Sequence, residues 1–472
     1  MDKPGHTRRD FMKKVGAGTA AFALSQSART EEKPPNILFL FTDDQRFDAI
    51  GALCNQAVKT PNMDKLVAGG TVFTHAHIMG SLVPAVCMPS RAMLMTGRGL
   101  FHLLDQGRDI PPEHIMLPEL LRQEGYETFG TGKWHNGPPA YARCFSRGAS
   151  IFYGGMSNHL EVPVHDFDPE GRYAKESRYS SKKFSSELFS DEAIDFLERQ
   201  TGDAPFFAYV SYTAPHDPRM APKEFADMYP AKSIEVPPNF LTEHPFDNGE
   251  LRIRDEILAQ SPRTPEVVQE HIAAYYAMIA HLDYHIGRVL DALENSGQAD
   301  NTIVIFAGDN GLAVGQHGLL GKQNLYEHSV RVPLVFAGPG IPAGKRTDAL
   351  CYLLDVFPTL CDLSGIAVPE TVEGKSLLPI IQGQKNEVRG SVFAAYRQFQ
   401  RMVRQGGWKL IRYNVEGKQT TQLFDLASDP WEVKNLAGEP ERKERLGEMD
   451  ALLASWMKQV DDICDPSKPN WI

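Results

Sequence analysis

The chain has 472 residues, 42% of them hydrophobic and 23% charged, a balance that leaves room for one large domain and a smaller one and excludes a disordered or fibrous chain. Its 49 basic and 60 acidic residues leave a net charge of −11, so the global field repels nucleic acid, and a polyanionic ligand must be drawn by a local basic pocket. Six cysteines with no Cys-x-x-Cys pair and no zinc spacing imply neither a zinc ribbon nor a disulfide framework.

The first residues read as an address. Thr7-Arg8-Arg9-Asp10-Phe11-Met12-Lys13 resembles a twin-arginine export signal, and residues 15–24 behind it are weakly apolar and too short to span a membrane. We expect a signal over residues 1–28, recognition by the twin-arginine export machinery, a periplasmic or secreted product, and no stable membrane insertion.

The run Asn36–Thr42 (NILFLFT) reads as a buried parallel strand ending in Asp43-Asp44. Next comes Cys87-Met88-Pro89-Ser90-Arg91, followed by Thr96-Gly97-Arg98. Pro89 suits a first helical turn because its missing N–H would be unpaired there anyway. Cys87 then sits at a helix N-terminus, where free N–H groups and the dipole favour an anion. Arg91, four residues on, shares its face. A buried hydrophobe starting a core helix is the commonest role for a free cysteine; a guanidinium beside a sulfur on a positive dipole reads instead as a site for a tetrahedral oxyanion.

Apolar runs recur at residues 126–131, 205–213, 302–307 and 332–337. The first leads into Gly132-Lys133-Trp134-His135. If extended geometry continues there, Lys133 and His135 share one side and Trp134 packs away. The second ends in Pro215-His216, and the third in Asp309-Asn310. Residues 265–293 carry apolar positions at helical spacing, with Thr264 as N-cap, Pro265 as first helical residue and Gly297 as a stop. Strands alternating with helices predict an α/β domain with a large, mostly parallel sheet sandwiched by helices, and ligands bind at the carboxyl ends of such strands. Two long stretches, 145–182 and 220–263, have no clear periodicity and read as functional loops. After residues 383–390 short strands are expected at 392–396, 401–404, 408–413 and 422–425, with turns at Gly406-Gly407 and Glu416-Gly417 and a last helix over 444–460. We therefore expect a catalytic domain over 34–383 and a smaller α+β antiparallel-sheet subdomain over 384–472.

The Cys-x-Pro-Ser-Arg run with Thr-Gly-Arg, the Asp-Asp and Asp-Asn pairs, and the C-terminal L-F-D-L-x-x-D-P-x-E-x-x-N-L run together resemble the type I sulfatases of the alkaline phosphatase-like superfamily. The resemblance covers almost all of the chain after the signal. It implies that Cys87 is oxidised by a maturation enzyme to formylglycine (3-oxoalanine), whose hydrate is the nucleophile. Asp43, Asp44, Asp309 and Asn310 would hold Ca²⁺, with Mg²⁺ also suited to such oxygens, and the ion would also touch residue 87. Lys133 would hold the hydrate and His135 take its proton. His216 would stand near the leaving oxygen, Lys322 would bind sulfate, and Arg91, Lys133 and Lys322 would offset charge. The implied substrate is a sulfate ester, read as one on a polysaccharide or glycosaminoglycan. Two other readings are kept. One is a phosphonate monoester or phosphodiester hydrolase of the same superfamily, which tends to carry Asp-His where this chain has Asp309-Asn310. The other is a non-catalytic sulfated-glycan binder with Cys87 unmodified. Arg46, Arg98, His102, Arg172 and Arg397 are candidate substrate contacts.

Overall fold

A computed structural model describes residues 33–202, 204–464 and 471; the export-signal reading lies outside them. The centre is an eight-stranded sheet. Its strands are β1 (Asn36–Thr42), β2 (Gly70–Phe73), β3 (Glu127–Lys133), β4 (Arg147–Phe152), β5 (Phe206–Ser211), β6 (Thr302–Gly308), β7 (Leu334–Ala337) and β8 (Lys345–Thr347). They lie in the order β8-β2-β7-β6-β1-β5-β3-β4. The block from β6 to β4 is parallel throughout, β8 is parallel to β2, and β7 alone runs against its neighbours.

The central strand explains its own sequence. Ile37, Phe39 and Phe41 join the core on one face of the sheet, and Leu38 and Leu40 the core on the other. A strand covered on both faces has no polar side, so it reads as a continuous apolar run. The first face carries α2 (Cys87–Thr96) and α5 (Val356–Ser364); the second carries α1 (Pro61–Gly69), α3 (Ser185–Glu198) and α4 (Pro265–Asn295). In α4 the Thr264 hydroxyl accepts from the Val267 N–H at 3.4 Å with Pro265 behind it, as its sequence signature predicts.

The stretch 145–182 differs from expectation. Its first part is the edge strand β4, and Pro163–Val164 pairs with Tyr179–Ser180 farther on. The short strands β2 and β8 escape periodicity because three or four residues fix no period; their partners, distant in sequence, make them strands.

The C-terminal meander β9 (Ser391–Tyr396), β10 (Gln400–Gln405), β11 (Trp408–Val415) and β12 (Lys418–Asp425) is antiparallel. Helix α6 (Lys443–Gln459) packs on it through Met449, Leu453 and Met457. Glu416 and Gly417 take φ of 51° and 80°, the left-handed pair that a tight two-residue hairpin demands. The meander's outer strand β9 pairs with Gly80–Ser81, a few residues before α2. That seam requires glycine: Gly80 has φ 84°, and a Cβ there would lie 2.0 Å from the Ala395 carbonyl oxygen. Gly80→Ala should cost about 2–3 kcal/mol in chemical denaturation, combining left-handed strain with lost pairing; an unchanged midpoint would mean the seam is slack.

Candidate active site

β1 and β6 are in register and end together, so the residues after them meet. The Asp309 N–H donates to the Thr42 carbonyl at 3.0 Å. Asp44 has φ 63°, a turn that lets consecutive carboxylates serve one site, whereas a continuing strand would send them to opposite faces. Asp43 Oδ2 is 2.5 Å from Lys133 Nζ, and Asp44 Oδ1 is 2.7 Å from Lys322 Nζ. Asp309 Oδ1 accepts from the Asp44 N–H at 3.0 Å, and Asn310 Nδ2 donates to Asp44 Oδ1 at 2.7 Å.

α2 begins at Cys87, so the thiol is at its N-terminus. Arg91, one turn on and fully buried, directs Nε to Asp309 Oδ2 at 2.9 Å and Nη1 to Ser211 Oγ at 2.7 Å and the Lys133 carbonyl at 3.1 Å. Its guanidinium is therefore a strut tying α2 to three strand ends. Ser90 Oγ adds a 2.6 Å bond to the Asp309 carbonyl.

Lys133 Nζ is 3.5 Å and His135 Nδ1 3.4 Å from Cys87 Sγ. The two side chains converge, but not by strand alternation. β3 ends at Lys133, and His135 sits at φ 74°, swung back towards the sulfur. Trp134 packs away as expected, edge-on to Tyr141 and Phe145. His216 points Nε2 towards Asp44 Oδ2 at 3.7 Å, with Nδ1 2.8 Å from the Asp217 carbonyl.

The electrostatics divide the labour. Burial pushes the Cys87 thiol up in spite of Lys133 and Lys322, so as a thiol it is a poor nucleophile at neutral pH. Burial, reinforced by Lys133 and Arg91, holds His135 well below the ordinary histidine value, hence neutral and able to accept a proton. Burial and the neighbouring Asp43 push Asp309 up to about 7, while Lys133 overcomes burial to hold Asp43 ionised. Asp43 Oδ1 and Asn310 Oδ1 are buried and accept no hydrogen bond. Crowded carboxylates with unused oxygens fit a hard divalent cation. Asp43 and Asp309 bring ligand atoms within 4.8 Å of each other and of Cys87 Sγ, as Asp43 and Asp44 do with His216.

The residues that the sequence offered as catalytic groups and metal ligands thus lie together. The candidate contacts scatter: Arg46 pairs with Asp48, Arg172 with Glu170 at the surface, and Arg98 bonds the His102 carbonyl, while His102 bridges Glu373 and Asp461. Arg397 pairs with Glu250. Sequence reasoning missed Gly155, whose carbonyl accepts from Lys133 Nζ at 2.6 Å, and Tyr275, whose hydroxyl donates to the Asp44 carbonyl at 2.7 Å. Neither carries a local signal. Ser90 stood inside the motif and could have been found there.

A second buried group, His317, His328 and Glu432, also has ligand-type atoms within 4.8 Å. Here fixed cations already supply the positive charge: Lys409 lies 2.8 Å from Glu432 and 3.0 Å from Glu327, and Arg404 also bonds Glu327. Against burial, Arg404 and Lys409 hold Glu327 well below the usual carboxylate range. A depressed folded pKa contributes stability above the unfolded value of about 4.3 that is lost as pH falls below it. Glu327→Gln should therefore be destabilised by about 3 kcal/mol at pH 7 and lose less than the wild type between about pH 5 and 3. Parallel stability curves for the two proteins would refute this.

Residues 35–366 match the family model described as "Sulfatase", and residues 315–459 the model "N-sulphoglucosamine sulphohydrolase, C-terminal". A sulfatase of Formosa agariphila is 32% identical, the match covering 91% of this chain and 90% of the relative. The N-acetylglucosamine-6-O-sulfatase of Bacteroides thetaiotaomicron is 26% identical over 94% of this chain and 90% of its own length. A solved structure of a protein with its substrate D-glucosamine-2-N,6-O-disulfate superposes with a TM-score of 0.76 at 23% identity, covering 93% of this chain and 99% of the other.

Proposed function

Because the chain belongs to the sulfatase family and has its alkaline phosphatase-like fold, we propose that it hydrolyses a sulfate ester of a carbohydrate, using a formylglycine made from Cys87. The observation that carries this reading is the convergence of Lys133 Nζ and His135 Nδ1 on Cys87 Sγ, both within 3.5 Å, beside buried carboxylate and amide oxygens without partners. The carbohydrate is supported by the Bacteroides relative, a sugar sulfatase by name.

Asp43, Asp44, Asp309 and Asn310 would hold the calcium ion, with residue 87 at its edge. Such an ion supplies positive charge against the sulfate oxygens. Formylglycine, carried at position 87, would supply a geminal diol as nucleophile in place of the thiol and a route for releasing sulfate afterwards. The protein's own side chains do the rest. Lys133 and Lys322 offset charge on the oxygens, each such donor contributing about 3 kcal/mol to the transition state. His135, neutral in its buried place, takes the diol proton. His216 donates to the leaving oxygen. Arg91 keeps Asp309 and Lys133 in position.

Asn310, with no imidazole at that metal position, favours the sulfatase over a phosphonate or phosphodiester hydrolase. The motif at residues 7–13 supports export through the twin-arginine machinery to the periplasm or beyond. Among the described residues no helix is long and apolar enough to cross a membrane. The same reading divides the chain into a signal (1–28), a catalytic domain (34–383) and a C-terminal subdomain (384–472).

The test is the mass of the tryptic peptide 66–91 from protein made in its native host. We expect the thiol replaced by an aldehyde or its hydrate. An unmodified cysteine in protein that turns over sulfate esters would refute the nucleophile.

A further inference from the structure

The two long loop-rich stretches meet over the reactive atoms. Gly155 receives Lys133 Nζ, and the next residue, Met156, is 46% exposed at the rim. From the other stretch Arg254 reaches across and touches Met156 Sδ. The same guanidinium grips two carboxylates. Nη2 donates to Asp217 Oδ1 at 3.0 Å and to Asp255 Oδ1, and Nη1 donates to Asp217 Oδ2.

Asp217 adjoins the residue assigned to the leaving oxygen, and Asp255 is linked through Gln323 to the one assigned to the sulfate. Asp217 Oδ1 is 3.3 Å from His216 Nδ1. Asp255 Oδ2 accepts from Gln323 Nε2 at 2.7 Å, and Gln323 Oε1 accepts from the Lys322 N–H at 3.0 Å. The Arg254 side chain is 41% exposed while Asp217 and Asp255 are 7% and 9% exposed. Arg254 is therefore the member of this cluster that solvent reaches.

The charge there decides what can be read. One guanidinium stands between two carboxylates, with Lys322 and the buried Arg219 also close to them, so the charges are matched within the cluster and what it offers a ligand is hydrogen bonds. A hydroxyl both donates and accepts, and a carboxylate–guanidinium–carboxylate row offers it both partners side by side. We propose that Arg254 is a specificity-determining residue that reads free hydroxyls on the sugar beside the scissile ester. The proposal rests on the sulfatase reading above.

The experiment compares wild type and Arg254→Ala on monosulfated N-acetylhexosamines and 4-nitrophenyl sulfate, with inhibition by inorganic sulfate as a probe that has no sugar. We expect wild type to favour a monosulfated sugar over 4-nitrophenyl sulfate by about tenfold or more. Arg254→Ala should lower kcat/KM on that sugar by about 100-fold and shift the inhibition constant of sulfate by less than about threefold. Equal changes in both would make Arg254 a structural clamp on His216 and Lys322 and overturn the proposal. Wild type that cleaves only 4-nitrophenyl sulfate would leave the sulfatase reading standing and sink the hydroxyl reading. Wild type that cleaves nothing would remove the sulfatase reading and this inference with it.

Discussion

Cys87→Ala should abolish turnover, by more than about 10⁴-fold in kcat, while leaving the protein folded. Residue 87 is the point on which Lys133 and His135 converge, and the hydroxyl in the same helical turn, Ser90, is engaged by the Asp309 carbonyl. The structural cost is small, because alanine removes one sulfur from a helix held by Arg91 and Ser90: about 1 kcal/mol for the cavity. The measurement pairs sulfate release with the thermal midpoint. Activity within tenfold of wild type, in protein whose midpoint is unchanged, would exclude residue 87 as the nucleophile.

Asp309→Ala should lose both cation and activity. Its carboxylate accepts from Arg91 Nε and from the Asp44 N–H, and it shares a ligand cluster with Asp43 and Cys87. Removing it leaves a wholly buried guanidinium without its main partner, which costs about 3–5 kcal/mol. Turnover measured well below the midpoint should fall by at least about 10²–10³-fold. Calcium at a hundred times its Kd should stabilise wild type by about 2.7 kcal/mol and the variant by almost nothing. An equal calcium shift in both proteins would move the ion elsewhere, and wild-type turnover that survives exhaustive chelation would remove it from the chemistry.

What could be read without coordinates was local or periodic. Pro89 two residues after Cys87 marks a helix start because proline's fixed φ and missing N–H act within one turn, and α2 does begin at Cys87. The apolar runs leading to Asp43 and Asp309 identify buried parallel strands because both faces must be covered, and β1 and β6 are buried throughout. The tight turn at Glu416-Gly417 follows from the backbone freedom of its own residues.

The tertiary structure alone decided the rest. Strand alternation would have brought Lys133 and His135 together; instead the strand stops and His135 turns at φ 74° to face the sulfur. β7 runs against the sheet, and β2 and β8 exist only through partners far along the chain. Gly155, Tyr275 and Arg254 carry no motif, and each reaches the site from a separate segment. By itself the sequence determined which residue types the site would hold, and on which strand ends and helix start, because turn chemistry, capping and burial patterns act over a few residues. Which side chains touch, and what stands over them, depends on the packing of segments some 20 to 260 residues apart, as the separations of Lys133 from Gly155 (22) and of Asp44 from Asp309 (265) illustrate, and no local rule carries that information.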